Sequence, residues 1–196
     1  MKTPQKTDVI KLTNYIFELN TLKKFSHSGF KLAGVRHPDT IAEHVYRTST
    51  IGYLLAKAEK ADAAKVMMIC LIHDNGEARI TDLHKVASRY IDSKRSEMAV
   101  LIEQSNLLPP SQAKEIITCF KEYEERKTKE GIIARDADLL ETAFQAKEYL
   151  DLGYKACQDW INNVEKALKT ATAKAIMNQL KKSNFSDWWK GLKKLS

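Results

Sequence analysis

The sequence predicts an all-α protein folded as a single domain, and three observations support that prediction. Apolar residues recur at spacings of three and four through most of the chain, which is the period of an amphipathic helix. The sustained apolar–polar alternation of a half-buried strand does not occur. A length of 196 residues suits one domain. We therefore assign residues 1–196 to a single domain, with a core at about 12–152 and C-terminal helices at about 154–196.

The N-terminal part of the chain contains three predicted helices and one long connection. The first helix is amphipathic, with apolar positions at Val9, Leu12, Ile16, Leu19 and Leu22. The connection covers residues 23–38 and contains two glycines and a proline. A loop of this length inside a compact domain is usually functional. Thr40 and Glu43 have the spacing of a capping box, so the second helix should begin there and run to about Lys60. The third covers about 62–74.

The C-terminal part of the chain is also predicted to be helical after a less regular stretch at 77–90. The predicted helices are 93–105, 111–126, 130–152 with Gly153 as its C-cap, a long helix through Trp160 and Ala175, and a last helix at about 186–195. The last of these holds Trp188 and Trp189 among lysines.

Composition and charge narrow the classes of function. The formal net charge is +7, but residues 165–196 hold eight lysines against two acidic residues, so the rest of the chain is nearly neutral. Because residues 1–164 carry almost no net positive charge, the domain is not expected to bind nucleic acid. No apolar run approaches a membrane span, so we expect no integral membrane contact. Residues 1–11 lack a signal-peptide core, and the three cysteines are odd in number and widely spaced, which predicts a reduced, cytoplasmic protein.

The dipeptide His73-Asp74 is the strongest chemical signal. It follows a wholly apolar helical stretch, and buried polar groups need partners. A divalent metal ion would bind both side chains, because imidazole nitrogen and carboxylate oxygen are ordinary ligands. The alternative is a core histidine that hydrogen-bonds a backbone carbonyl. His44 in an earlier helix, and Asp136 or Asp138 in a later one, complete a candidate ligand set.

Three segments together resemble a known family. Ile41–Arg47, His73–Glu77 and Ala134–Glu141 are similar, in this order, to the motifs of the HD superfamily of metal-dependent phosphohydrolases: a His, a His-Asp pair and a distant Asp. More narrowly they resemble the branch that contains the 5′-deoxynucleotidases, over roughly residues 12–152. The resemblance implies an HD-type helical bundle with a metal site in its centre. It also implies a phosphomonoesterase that releases phosphate from (deoxy)nucleoside 5′-monophosphates.

The resemblance also implies a ligand set for one divalent metal ion, which could be Mn, Co, Mg, Zn, Fe or Ni. The implied ligands are His44, His73, Asp74 and Asp138. Asp138 is preferred to Asp136 because the family helix continues as Asp-x-x-Glu, as it does here from Asp138 to Glu141. Asp136 would face elsewhere, and we predict for it a solvated or ion-paired carboxylate, with Arg135 as a candidate partner.

Two further carboxylates hold the family's catalytic positions. Glu77 lies one turn beyond the ligand pair and is the implied general acid/base. Asp82 is the second carboxylate, implied to orient water or to help protonate the leaving oxygen. The alternatives are a helix-end carboxylate for Glu77 and a helix N-cap for Asp82.

The predicted substrate contacts depart from the family pattern. Where the branch has an Arg and a Trp in the loop before the first ligand, this chain places His27 and Phe30. Histidine can bond phosphate and phenylalanine can stack on a base or sugar, but neither reproduces a bidentate guanidinium or an indole N–H. Arg36, Arg47 and Lys85 are cations near the motifs, and of these Arg36 and Lys85 are the predicted contacts to phosphate.

Other functions stay open at this point. One is hydrolysis of another phosphorylated small molecule, since the substrate loop has changed. A different one is an interaction protein whose Trp-containing basic tail binds an anionic membrane or nucleic acid. The preferred interpretation of the tail is a terminal helix whose tryptophans pack on the body or on a dimer partner, with the lysines in solvent. Relatives in this branch tend to be homodimers, which we carry over as an expectation.

Overall fold

The computed structural model describes residues 5–192, and this part of the chain is a bundle of helices, as predicted. Its α-helices are α1 (Lys6–Leu19), α2 (Ser28–Leu32), α3 (Ile41–Ala58), α4 (Ala63–Ile72), α5 (Glu77–Ile80), α6 (Ser93–Ser105), α7 (Pro110–Glu125), α8 (Lys129–Asp151), α9 (Gln158–Ala167) and α10 (Ala171–Leu180). Short 3-10 turns lie at Asn20–Lys23, Ala87–Arg89, Lys155–Cys157 and Asp187–Trp189. An isolated antiparallel bridge joins Ser26 and Thr40, and residues 5–192 contain no strand.

Helices α3, α4 and α8 form the centre of the bundle. The 23-residue helix α8 buries positions on more than one face, because α3 and α4 pack on one side and α9 and α10 on another. The approach of α3 to α4 depends on Gly52, since a Cβ at that position would lie only 2.6 Å from the Sγ of Cys70. This close packing brings the start of α3 beside the end of α4.

The ends of these two helices are fixed by local interactions that the sequence indicates. The Thr40 side chain accepts the backbone N–H of Glu43, and the Glu43 carboxylate accepts that of Thr40, so the predicted capping box is present. Asp62 caps the start of α4. Helix α4 ends at Ile72, which leaves His73 as its C-cap residue. Both histidines of the candidate site therefore lie at well-defined helix ends.

The predicted loop 23–38 contains the short helix α2 and is tied to the core. Phe30 on α2 is 2% exposed, and its ring stacks on Trp160 of α9 with centroids 5.4 Å apart. Tyr149 of α8 meets the same ring edge-on at 5.1 Å. A five-residue helix is too short to produce a readable apolar period, which is why the sequence did not indicate it.

The predicted long helix through Trp160 and Ala175 is wrong, because the structure divides it into α9 and α10. The break lies at residues 168–170, where Asp136 of α8 accepts the backbone N–H of Lys169 at 3.0 Å and of Thr170 at 2.7 Å. Asp136 is 1% exposed, so the prediction of a solvated or Arg135-paired carboxylate is also wrong. Its charge stabilises the start of α10, where unpaired N–H groups favour an anion.

The C-terminal helices belong to the same core as the rest of the bundle. Their buried apolar residues are Cys157, Ile161, Val164, Leu168, Ala173, Met177 and Leu180. The last predicted helix, at about 186–195, is not observed up to residue 192, where only the turn Asp187–Trp189 is helical; residues 193–196 lie outside the described part. No helix within residues 5–192 has both the length and the apolarity to cross a membrane.

Candidate metal centre

Four side chains predicted as metal ligands meet between α3, α4 and α8. The Nε2 atom of His44 lies 3.6 Å from Asp74 Oδ2 and 3.3 Å from Asp138 Oδ1. The Nε2 atom of His73 lies 3.1 Å and 3.9 Å from the same two oxygens. Two imidazole nitrogens and two carboxylate oxygens therefore face one point, although the residues are separated by up to 94 positions in the sequence.

Partners on the far side of each imidazole orient both histidines. The Nδ1 atom of His44 hydrogen-bonds the carboxylate of Glu141, which is 1% exposed. The Nδ1 atom of His73 lies 2.7 Å from the backbone oxygen of Cys70. Acceptors at Nδ1 favour a proton there and direct the lone pair to Nε2, which is the tautomer that binds a metal. From the sequence, metal binding and a hydrogen bond to a backbone carbonyl were alternatives for the core histidine. In the structure the Nδ1 atom of His73 makes the carbonyl contact, and its Nε2 atom faces the candidate metal site.

The residues fit a divalent metal ion. Ligand atoms of His44, His73 and Asp74 all lie within 4.8 Å of one another. The buried Nε2 atom of His73 has no hydrogen-bond partner in the described chain, since Asp74 Oδ2 is near but not in hydrogen-bonding geometry. A buried unpaired nitrogen is costly, and a cation bound between the four groups removes that cost.

Asp138 is held so that one of its oxygens faces the histidines. The other oxygen, Oδ2, accepts the Tyr123 hydroxyl at 2.6 Å and the Arg135 guanidinium at 2.5 Å. Burial acts to raise the pKa of Asp138, but Arg135 and the two histidines outweigh it and hold the pKa well below its ordinary value. Asp138 is therefore a carboxylate at neutral pH, the form that ligates metal.

The electrostatic field at the centre favours positive charge. Burial acts to lower the pKa of His44, yet the Glu141 charge and the hydrogen bonds to Asp138 and Glu141 raise it well above its ordinary value. The same carboxylates that would stabilise a proton on this imidazole attract a metal cation to its neighbourhood. The negative potential is a property of the assembled site, because Asp138 and Glu141 lie far from His44 in sequence.

Arg47 and Glu141 have roles in the structure that the sequence analysis did not assign, since Arg47 was considered only as a cation for phosphate and Glu141 only as the end of the Asp-x-x-Glu pattern. The Nε atom of Arg47 donates to Glu141 Oε1 at 2.8 Å, and its other nitrogens donate to Gln145 at 2.7 Å and Glu148 at 2.6 Å. Arg47 thus orients Glu141, which orients His44. The signal available in sequence was spacing, since Arg47 and His44 lie on the same face of one helix and Glu141 lies on the face of Asp138.

The two predicted catalytic carboxylates occupy different surroundings. The Oε2 atom of Glu77, at the start of α5, is buried without a hydrogen-bond partner among residues 5–192. Burial, followed by the charges of Asp74 and Asp82, raises the pKa of Glu77 well above its ordinary value. Asp82 instead accepts the backbone N–H of Ser28 at 2.6 Å and its hydroxyl at 3.0 Å. It therefore connects the substrate loop to the segment that follows the His-Asp pair.

The predicted substrate contacts divide into an inner and an outer pair. His27 lies in the site, with its ring centroid 4.5 Å from that of His44 and its Nδ1 atom 2.9 Å from Asp39 Oδ2. Phe30 is packed in the core beneath it, and the two ring centroids are 6.0 Å apart. Arg36 and Lys85 are exposed.

Glu97 on α6 is a further carboxylate near the site that the sequence analysis did not single out. Its backbone lies against Gly76, where a Cβ would meet the Glu97 carbonyl oxygen at 3.0 Å. Burial and the charges of Asp74 and Glu124 raise the pKa of Glu97 to about 7. The sequence did not indicate this residue, because a single glutamate in a predicted helix has the same pattern as a solvent-exposed glutamate.

Comparison with known proteins agrees with this geometry. The HD domain family matches residues 19–181. The 5′-deoxynucleotidase HDDC2 of Dictyostelium discoideum is 31% identical over 150 residues, which cover 70% of this chain and 78% of that protein. The human 5′-deoxynucleotidase HDDC2 is 25% identical over 145 residues, covering 74% of this chain and 71% of the relative.

Solved structures share the fold. A conserved hypothetical protein from Pyrococcus furiosus superposes with a TM-score of 0.74 at 29% identity, over 87% of this chain and 99% of the other. A protein from Magnetospirillum magnetotacticum, named a predicted metal-dependent phosphohydrolase, gives 0.72 at 22% identity over 93% and 95% of the two chains, which supports the fold alone. The helical architecture, the His/Asp cluster and the match over most of its length show that this chain belongs to the HD domain family of metal-dependent phosphohydrolases.

Proposed function

We propose that this enzyme hydrolyses the phosphate ester of nucleoside 5′-monophosphates, deoxy forms included, at the centre formed by His44, His73, Asp74 and Asp138. The observation that carries the proposal is the convergence of two Nε2 atoms and two carboxylates beside a buried, unpaired Glu77 carboxyl. The substrate class rests on the printed activity of the relatives, 5′-deoxynucleotidase. Asp138 rather than Asp136 is the fourth ligand, since Asp136 is committed to the start of α10.

The roles of the chain's own groups follow from their surroundings. A divalent ion held by the four ligands would lower the pKa of a water and polarise a phosphoryl oxygen. Burial and the neighbouring carboxylates raise the pKa of Glu77 and so favour its protonated form, which is suited to hold and deliver a proton to the leaving oxygen of the ester. Asp82 positions the loop by binding Ser28, and its charge keeps the proton on Glu77.

His27 is the proposed phosphate contact inside the site. Burial and the neighbouring His44 act to lower its pKa, but the Asp39 carboxylate, 2.9 Å from Nδ1, and the charge of Asp82 raise the pKa above its ordinary value, so the ring favours the protonated form that binds a phosphate oxygen. Phe30 supports His27 from below, while Arg36 and Lys85 attract the anionic substrate from the rim.

Phosphate release from a panel of ribo- and deoxynucleoside 5′-monophosphates tests the proposal, with Mn, Co, Mg, Zn, Fe and Ni supplied in turn to metal-free enzyme. We expect activity that requires added metal and is lost in Asp74→Ala. The variant His27→Gln should raise KM about tenfold with metal affinity unchanged, because it removes one charged hydrogen bond. Activity on none of these nucleotides, with metal bound stoichiometrically, would redirect the proposal to another phosphorylated small molecule. Activity that survives in Asp74→Ala would contradict the site.

We also propose a homodimer in a reducing, cytoplasmic compartment. Helix α1 exposes Ile16 to 60% and Phe17 to 73%, and an apolar groove of about 1530 Å³ lies between α1, α3, α4 and α7. Exposed apolar side chains and an apolar groove on the same protein allow a self-complementary twofold contact. Three free, buried cysteines suit a reducing compartment. Light scattering of wild type and Phe17→Glu tests the contact: a dimer that becomes a monomer supports it, and a wild-type monomer at micromolar concentration contradicts it.

A further inference from the structure

The C-terminal segment presents an aromatic and basic surface that the hydrolase site does not use. Residues 181–192 lie at and beyond the end of the family match, which stops at residue 181. They contain Trp188, which is 72% exposed, Trp189, which is 44% exposed, and Leu192, which is 70% exposed. We call residues 181–192 the tryptophan segment.

Local contacts fix this segment in place. The backbone N–H of Phe185 donates to Asp151 Oδ2 of α8 at 3.1 Å, and the N–H of Asn184 donates to Asp187 Oδ2 at 2.8 Å. The Phe185 ring meets Trp189 edge-on at 5.7 Å. The turn is therefore anchored to the bundle through Asp151 and Phe185, and it holds Trp188 outward. Exposure of two adjacent indoles on an anchored turn needs an explanation, because such side chains usually find an apolar partner.

The charge around the indoles identifies the partner. Residues 181–196 contain five lysines and one acidic residue, Asp187. Of the described lysines, Lys181 is paired with Glu165 and Lys190 with Asp187 at 2.6 Å, while Lys182 has no ion pair within residues 5–192. The segment therefore keeps a positive surplus, and the surface it matches is anionic.

We propose that the tryptophan segment docks the enzyme on an anionic lipid surface. Indole rings are favoured at the boundary between headgroups and acyl chains, where the ring is in an apolar medium and its N–H reaches water. Leu192 adds apolar surface, and the lysines reach lipid phosphates and carboxylates. Apolar insertion and basic charge together give the two signals that stable but reversible membrane binding requires. A nucleic acid is a poorer match, because the two indoles lie edge-to-face at 83° rather than as a flat stacking platform and an exposed leucine has no role there.

Vesicle co-sedimentation of the full-length enzyme tests this proposal, with phosphatidylcholine vesicles compared with vesicles that also contain phosphatidylserine. We expect binding to the mixed vesicles only, weakened by added salt, with a blue shift of tryptophan fluorescence on binding. The double variant Trp188→Ala/Trp189→Ala should lower the partition coefficient about tenfold or more, as should Lys181→Glu/Lys182→Glu. Tyr90→Ala is the matched control, because Tyr90 is 82% exposed on a different part of the surface. Phosphate release in solution should be unchanged in all three variants.

Several outcomes would overturn the proposal. Equal binding to both vesicle types, or none to either, excludes an anionic lipid surface. Salt-sensitive binding of a fluorescent single-stranded oligonucleotide that is lost in the tryptophan double variant would make nucleic acid the partner. A change from dimer to monomer in that variant, measured by light scattering, would assign the indoles to a subunit contact.

Discussion

Helix α8 carries two buried carboxylates only two positions apart, and they serve opposite regions of the molecule. Asp138 faces the candidate metal centre, where its Oδ1 atom lies 3.3 Å from His44 Nε2. Asp136 faces the C-terminal helices, where it accepts the N–H groups of Lys169 and Thr170. Two positions on a helix are a rotation of about 200°, so the same residue type meets a cation site on one side and a helix start on the other. Burial of an aspartate therefore does not identify its function; its partners do.

The largest expected effect comes from Asp138→Asn, which removes the charge of a proposed ligand with almost no change of shape. Phosphate release should fall about a thousandfold, because the centre loses one of two carboxylates. Calorimetric titration of metal-free protein should show weakened binding of the ion, while the thermal midpoint changes little. If the variant had wild-type metal affinity and wild-type turnover, Asp138 would not be the fourth ligand, and the proposed difference between Asp138 and Asp136 would be contradicted.

Asp136→Ala should give the reverse result. The substitution removes the buried acceptor of the N–H groups at the start of α10. Because buried donors without an acceptor are costly, we expect the free energy of unfolding to fall by about 3 kcal/mol. Urea unfolding measures this loss. Below the unfolding transition the variant should still bind metal with wild-type affinity. Lost metal binding in a folded Asp136→Ala protein would mean that the two faces of α8 are not independent.

The substitution Glu141→Gln tests how the side of α8 that carries Asp138 orients His44. The neutral amide still accepts from His44 Nδ1 but makes the imidazole a weaker ligand, so the Kd for metal should rise about tenfold. Glu148→Gln is the matched control, because Glu148 binds Arg47 but is not bonded to His44. Equal effects of the two variants would show that only the position of Arg47 matters.

The smallest expected effect concerns Glu97, at the edge of the same region. Its pKa of about 7 lies above that of the unfolded chain, so between about pH 4.5 and 7 the folded protein keeps a proton that the unfolded chain releases. The free energy of unfolding of metal-free enzyme should therefore fall over this interval, by about 1 kcal/mol after allowance for partial exposure. Glu97→Gln should remove most of that slope. Identical slopes in wild type and variant would contradict this account.

The two carboxylates also separate what pattern predicts from what it misses. The resemblance favoured Asp138, whose Oδ1 atom lies 3.3 Å from His44 Nε2 in the structure, and the capping box at Thr40 marked the start of α3. The pattern misjudged Asp136 because a helical period gives the direction of a side chain but not what lies there. For the same reason the sequence pattern predicted one helix where the structure has α9 and α10. The break at residues 168–170 depends on Asp136, an acceptor more than thirty positions away in sequence.

The sequence by itself determined the helical class and most helix ends, because spacing and capping are local properties. The set of side chains that converge was implied by the resemblance of three segments to the HD motifs. Only the tertiary structure determined which side chains orient the histidines of the candidate metal centre. Glu141 holds His44 and Arg47 holds Glu141 because α3 and α8 pack side by side. Likewise, Asp82 became the anchor of Ser28 and Phe30 became a core residue through contacts between distant segments. Hydrogen-bond partners and burial are set by long-range packing, so no local pattern contains them.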